Sequence, residues 1–196
     1  SGTNKVVEQT DTSFRLTKQV ADGLVDMQEV SKGLFLVQSE MAFKKETELC
    51  EEYPERKVFQ LSFCMNGICE WDYRQKRGEH YQLSPTQCSL QCGTFSQCVS
   101  RFGSEEPYRT LSISLEQERF LPLAEDLEAA HLIRRDNKIC THIFSTTPEI
   151  RLVLQQLLDC PPERKLRKLY LEGKVLELVS LFCEEAIGKQ KNDKEI

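Results

Sequence analysis

Between residues 13 and 115 the apolar positions recur mostly at every second residue, and turn-forming residues interrupt them every eight to fifteen positions. Such alternation predicts short strands, and their even spacing predicts a barrel or jelly roll. A strand opens at 33–37 (GLFLV), and the polar stretch 51–55, with Pro54, predicts a break. The strongest local signal is 58–65, then Asn66-Gly67, then 68–73, which predicts a hairpin closed by a type I′ turn. In that register Met65 faces Ile68 and Cys64 faces Cys69. Phe59, Leu61, Phe63, Met65 and Ile68 then share one face, and Ser62, Cys64, Cys69, Trp71 and Tyr73 the other. Both faces are largely apolar or aromatic, as in a closed barrel. A turn at 84–87 (SPTQ) and further alternating runs at 88–92 and 108–115 continue the pattern.

After Glu116 the period lengthens. Residues 120–131 predict a helix. Thr146-Thr147-Pro148-Glu149 predicts a helix start, with Thr146 as the cap, and Pro161-Pro162 stops that helix after Cys160. A final helix is expected over 163–189, about 40 Å long at ~1.5 Å per residue. On it Leu171, Val175, Leu178 and Phe182 recur at alternating spacings of four and three, and Leu169, Leu176, Val179 and Cys183 form a neighbouring seam. Together they cover more of the circumference than one core-facing stripe requires. Gly173 weakens the helix by about 1 kcal/mol relative to alanine, and close approach of another backbone would account for it. One seam would then pack on the chain's own preceding helix and the other on a second copy, the rival reading being a helix buried wholly within one chain. Lys168 and Glu172 can pair on the surface, although Glu172 falls inside the apolar arc, where a partner chain or the barrel would hold it. The tail from Gly188 (GKQKNDKEI) reads as a linker.

Composition narrows the function. The apolar share of 39% and charged share of 29% are those of an ordinary soluble domain. No stretch predicts a membrane span, and the amino end lacks a signal-peptide core, so a cytoplasmic location without membrane contact is expected. The Ser1-Gly2 start resembles a tag remnant. A net charge of -5 argues against direct nucleic-acid contact by this piece. Nine cysteines, odd in number and without a CxxC, do not form a disulfide framework. They read as small buried hydrophobes, with thiolate zinc ligation (Cys64 with Cys69; Cys88, Cys92 and Cys98) as the rival. The three histidines, His80, His131 and His142, do not cluster, and neither a nucleophile elbow nor a phosphate loop occurs. No catalytic residue, metal or cofactor is expected, and the chain does not read as an enzyme.

The run 167–178 (RKLYLEGKVLEL), following Leu158-Asp159-Cys160-Pro161, resembles the helix-pair signature of AraC-family transcription regulators, in the branch typified by the regulator of the pyochelin receptor. The hairpin segment FQLSFCMNG and the Leu83-Ser84-Pro85 turn fit more loosely, and the likeness spans about residues 33–185. It implies an α+β chain: an amino-terminal cupin-like or jelly-roll β-barrel over 1–118 that binds an effector, then antiparallel helices over 119–190 that dimerise, then a linker from 191. A double helix-turn-helix domain would follow Ile196. DNA contact is thus expected of the parent protein through that missing domain, and the chain reads as a truncated sensor region, with a natural sensor-only relative as the alternative. Its expected partners are a second copy and a small-molecule effector of unknown identity, for which iron–siderophore compounds are worth testing. Candidate effector contacts are Phe63, Trp71, Tyr73, His80 and Tyr81. Candidate dimer contacts are Leu169, Leu171, Gly173, Val175, Leu176, Leu178, Val179 and Phe182. The rivals are an interaction module without a small-molecule ligand and a thiol-based metal sensor.

Overall fold

The structure, a computed structural model, describes residues 6–9, 13–16, 18–76 and 78–192. The expected tag remnant at residues 1–2 and residues 193–196 of the expected linker lie outside them, whereas the part of that expected linker from Gly188 to Asn192 continues the final helix. The element order is β1 (Val6–Gln9), β2 (Ser13–Leu16), β3 (Ala21–Ser31), β4 (Leu34–Phe43), β5 (Thr47–Asn66), β6 (Cys69–Tyr73), β7 (Tyr81–Leu83), β8 (Gln87–Phe102) and β9 (Tyr108–Leu115). Then come α1 (Gln117–Ala129), β10 (Cys140–Ser145), α2 (Pro148–Leu158) and α3 (Arg167–Asn192). The strands form one antiparallel sheet in the order β1-β2-β3-β4-β9-β5-β8-β6-β7, with β10 also paired to β8. This is the α+β, cupin-like architecture with carboxyl-terminal helices that the sequence implied.

Alternation sorts the strand residues onto two faces. Phe59, Leu61, Phe63, Leu90, Leu111 and Ile113 turn outward under the helices, in one core with Phe120, Leu127, Val153, Leu157, Leu171, Val175 and Phe182. The opposite parity turns into the roll, where Val25, Phe43, Cys64, Cys69, Trp71, Tyr73, Phe95 and Phe102 form a second core without helix residues. Burying each such large side chain is worth about 1.5–3 kcal/mol. The two long strands, β5 and β8, pair along nearly their whole length and contribute to both cores. Gly93 marks a close crossing in β8: a Cβ there would lie 2.5 Å from the Lys138 carbonyl oxygen, so only glycine lets the segment before β10 cross.

Several expectations change. β5 and β6 do not pair as a hairpin: β5 lies between β8 and β9, whereas β6 pairs with β7 and β8. A type I′ turn needs positive φ at both central residues. Here Gly67 has φ 72° but Asn66 is not among the positive-φ residues, and Asn66 Nδ2 instead donates to Pro107 O at 2.8 Å. The dipeptide is a corner that carries the chain across the roll. The expected break at 51–55 is a register shift inside β5, between Glu52 and Arg56. Thr147, not Thr146, caps α2, accepting from Ile150 N at 3.3 Å, while Thr146 Oγ1 donates to Thr86 O. The region assigned wholly to helices contains β10, which pairs with β8 from Cys140↔Cys92 to Ser145↔Gln87.

Candidate functional site

The burial pattern of β6 alternates, so Cys69, Trp71 and Tyr73 point into the roll while Glu70 and Asp72 point out. β7 sets Tyr81 directly opposite Trp71. The two rings stack with centroids 5.6 Å apart and planes 23° apart, and Tyr73 meets Tyr81 at 6.0 Å and Phe95 at 5.3 Å. Three of the five expected effector contacts thus form one aromatic wall. The Tyr73 hydroxyl donates to Gln91 Oε1 at 3.0 Å across the roll, and burial raises its pKa above the ordinary phenol value. The Trp71 indole N–H is buried close to the Tyr73 hydroxyl, which Thr141 also approaches.

His80 is not part of that wall. It stands on the outer rim, with Nδ1 at 2.9 Å from Asp72 Oδ1 and Nε2 at 3.6 Å from Glu70 Oε2. Arg101 bonds the other Asp72 oxygen and also Glu48. Partial burial alone would raise the Asp72 pKa, but the hydrogen bonds from Arg101 and His80 outweigh it and hold the carboxyl below its usual range. A cleft of about 480 Å³ opens at this rim, lined by Asp72, Tyr73, Arg74, Lys76, Gly78, Glu79 and His80. Lys76 pairs with Glu79 at 2.8 Å, and Tyr81 OH bonds the same carboxylate. The hydrogen bonds of Lys76 and then Tyr81 lower the Glu79 pKa. Lys76, Glu79 and Gln91 were not foreseen, because single polar residues near turns carry no distinguishing pattern.

Phe63 is misplaced in the expected set. It is fully buried on the helix-facing side, edge-on to Phe182 at 6.1 Å. Parity on β5 fixes this: Cys64 faces inward, so its neighbour cannot.

On α3 the structure divides the expected dimer contacts. Leu171, Val175, Leu178, Val179 and Phe182 are buried within the chain's own core, so they cannot meet a second copy while the helix stays docked. Leu169 and Leu176 are 64% and 44% exposed, and a Cβ on Gly173 would meet nothing within 4 Å. With exposed Ser180, these three form a single outward seam spaced four, three and four residues apart. Glu172 is held by Arg119 of α1 at 3.8 Å, and Arg119 in turn donates to Lys32 O and Ser31 Oγ of the β3–β4 turn.

Eight of the nine cysteines are buried and only Cys50 is exposed. Burial pushes the Cys64 thiol up to about 11, and the Cys69, Cys92 and Cys98 thiols up to about 12. Among the described residues no three His, Cys, Asp or Glu side chains come together as a metal-binding group, and no helix is long and apolar enough to cross a membrane.

The fold is shared with solved structures of regulators. The AraC-like transcriptional activator CuxR superposes with a TM-score of 0.60 at 8% identity, over 86% of this chain and 56% of that one. An apo variant of ToxT from Vibrio cholerae gives a TM-score of 0.55 at 10% identity, over 82% and 58%. Another ToxT structure from Vibrio cholerae gives 0.51 at 11%, over 81% and 57%. The chain therefore spans a little over half the length of these regulators. At such identities the likeness is one of fold, the cupin-like amino-terminal fold of AraC-type regulators. No curated protein matches the sequence. A family profile described as the regulatory protein PchR N-terminal domain matches residues 22–195, and the chain belongs to that family.

Proposed function

We propose that the chain is the effector-binding and dimerising part of an AraC-family transcription regulator, non-catalytic in itself. In this reading a small molecule is sensed at the roll, and two copies joined through α3 set the spacing of attached DNA-binding domains. The observation that carries the reading is the two-sidedness of α3. One face is locked into the sheet through Leu171, Val175, Leu178 and Phe182, while the opposite face presents Leu169, Gly173 and Leu176 to solvent. The same strands serve both ends of the signal. On β5 and β8, residues such as Phe63 and Leu90 hold the helices, and their immediate neighbours face the roll interior.

The net charge of -5 supports leaving DNA contact to another domain. The absence of a three-donor thiol group among the described residues weakens the metal-sensor rival. Light scattering on the paired substitution Leu169→Ser and Leu176→Ser tests the reading. Both side chains are exposed, so the fold should persist by circular dichroism while the wild-type dimer mass falls to that of a monomer. A variant that stays dimeric, or a wild-type chain that is monomeric at high concentration, overturns it.

A further inference from the structure

The first turns of α3 are held by polar side chains as well as by the core. Leu171, Val175 and Leu178 are fully buried, but in the turn before them Leu169 is exposed and Arg167 and Tyr170 are only half-buried. Arg167 Nη1 donates to Gln28 Oε1 of β3 at 3.1 Å, and Glu172 faces Arg119 of α1 at 3.8 Å. Arg119 also reaches the opposite way. Its Nε donates to Lys32 O and its Nη2 to Ser31 Oγ, both at 2.8 Å, so one guanidinium joins α1, α3 and the β3–β4 turn. Glu172 stands three residues from Leu169 and four from Leu176, which makes it a direct neighbour of both on the helix surface. The link therefore ends beside the exposed seam.

We infer that Arg119 is a positioning residue that couples the β3–β4 hairpin of the roll to the dimer seam of α3. This rests on the proposed function above and adds how the seam is regulated. The hairpin spans both regions that have to communicate. Ala21, Val25, Met41 and Phe43 lie in the inner core with Trp71 and Tyr73, while Val30, Leu34 and Leu36, near the turn, join the core under the helices. Among the described residues β3 pairs with β2 only at Val25 and Asp26, so from Met27 to Ser31 its outer edge carries no strand. The turn end is steadied by β4 and by these side-chain bonds rather than by a second ladder. Arg119 and Glu172 are 37% and 29% exposed, so solvent screens their pair and it adds little to stability. Its worth lies in geometry. A planar guanidinium can hold a carbonyl, a hydroxyl and a carboxylate in fixed directions at once, which a lysine cannot. Coupling of this kind is reciprocal: a shift of the turn biases the seam, and pairing at the seam steadies the turn.

Reciprocity allows a test without a ligand. Amide hydrogen exchange of the peptide 28–36, which contains no residue of the seam, is followed by mass spectrometry on the whole 196-residue chain, below and above the dimer dissociation constant. In the wild type, dimerisation should slow this exchange by about fivefold or more, the lower end of usual coupling strengths. In Arg119→Ala the slowing should vanish. It should vanish also in Arg119→Lys, which keeps a charge beside Glu172 but not the fork to the turn. Arg119 is partly exposed, so both variants should keep the wild-type circular dichroism and still dimerise through Leu169 and Leu176. A merely structural role for Arg119 would change exchange equally at both concentrations. Slowing that persists in either variant, or a wild-type dimer that leaves 28–36 unchanged, would overturn the inference while the dimer stands. A wild-type chain that never dimerises would overturn the proposed function and this coupling together.

Discussion

Replacing Gly173 by alanine should act in opposite directions on the single chain and on the pair. Within one chain nothing lies within 4 Å of the added Cβ, and Gly173 sits well inside α3. The substitution therefore removes only the backbone-entropy penalty of a mid-helix glycine, about 0.5–1 kcal/mol. For a chain of this size a gain of about 1 kcal/mol raises the melting temperature by about 2–4 °C. In the proposed dimer the same position, between Leu169 and Leu176 on the exposed seam, is where a glycine would let two backbones approach. A methyl group forced into a packed contact costs about 1–3 kcal/mol, which loosens the dimer by roughly 5- to 150-fold. The assay is a pair of measurements on the wild type and Gly173→Ala. One is the melting temperature at concentrations where the chain is monomeric, and the other is the dimer dissociation constant by sedimentation equilibrium. The melting temperature should rise and the dimer should weaken. A lower melting temperature in the monomer would mean that the site is covered within the chain, and an unchanged or tighter dimer would remove Gly173 from the interface.

Phe182→Ala removes a ring held edge-on by Phe63 and Phe144, and it should lower stability to urea by about 3–5 kcal/mol, the usual cost of a buried phenylalanine. A loss under 1 kcal/mol would mean that α3 is not docked as described. A thiol-reactive chromogen should titrate one thiol per native chain quickly, Cys50, and all nine after unfolding; three or more fast thiols would contradict the burial of the rest. Burial holds the His142 imidazole below its unfolded value of 6.5, so below that pH the unfolded chain takes up a proton that the folded chain refuses. Its contribution to stability is therefore complete above that value and is lost as pH falls. Urea midpoints measured between about pH 7 and 5 should fall less steeply in His142→Gln than in the wild type, and equal slopes would refute the assignment.

Patterns that depend on the chain alone were legible. The two faces of 58–65 were sorted correctly by parity, and the 3.6-residue period located α1, α2 and α3 to within a few residues. What depends on distant partners was not. Asn66-Gly67 carries a strong local hairpin signal, but β8 and β9 occupy both edges of β5, and tertiary pairing overrides the turn. β10 is six residues long, with threonine and histidine among them, and only its ladder to β8 makes it a strand. Phe63 joined the candidate effector contacts because it is aromatic, although its parity already placed it opposite Cys64. The inward position of Gln60, Ser62, Ser89 and Gln91 was not legible, because these residues alternate with large apolar ones, as a solvent-facing row does. Only closure of the sheet turns that row inward. The breadth of apolar surface on α3 was visible, but how it divides between Leu171 and Leu176 depends on where the sheet and α2 lie.

The most direct measurement places p-benzoylphenylalanine at position 176 in place of Leu176, mixes unlabelled and ¹⁵N-labelled copies, and irradiates them. Mass spectrometry should then find mixed light–heavy peptides joining the residue-176 peptide of one copy to α3 of the other. Cross-links confined to single copies, or leading from position 176 to the strands of the roll, would contradict the account.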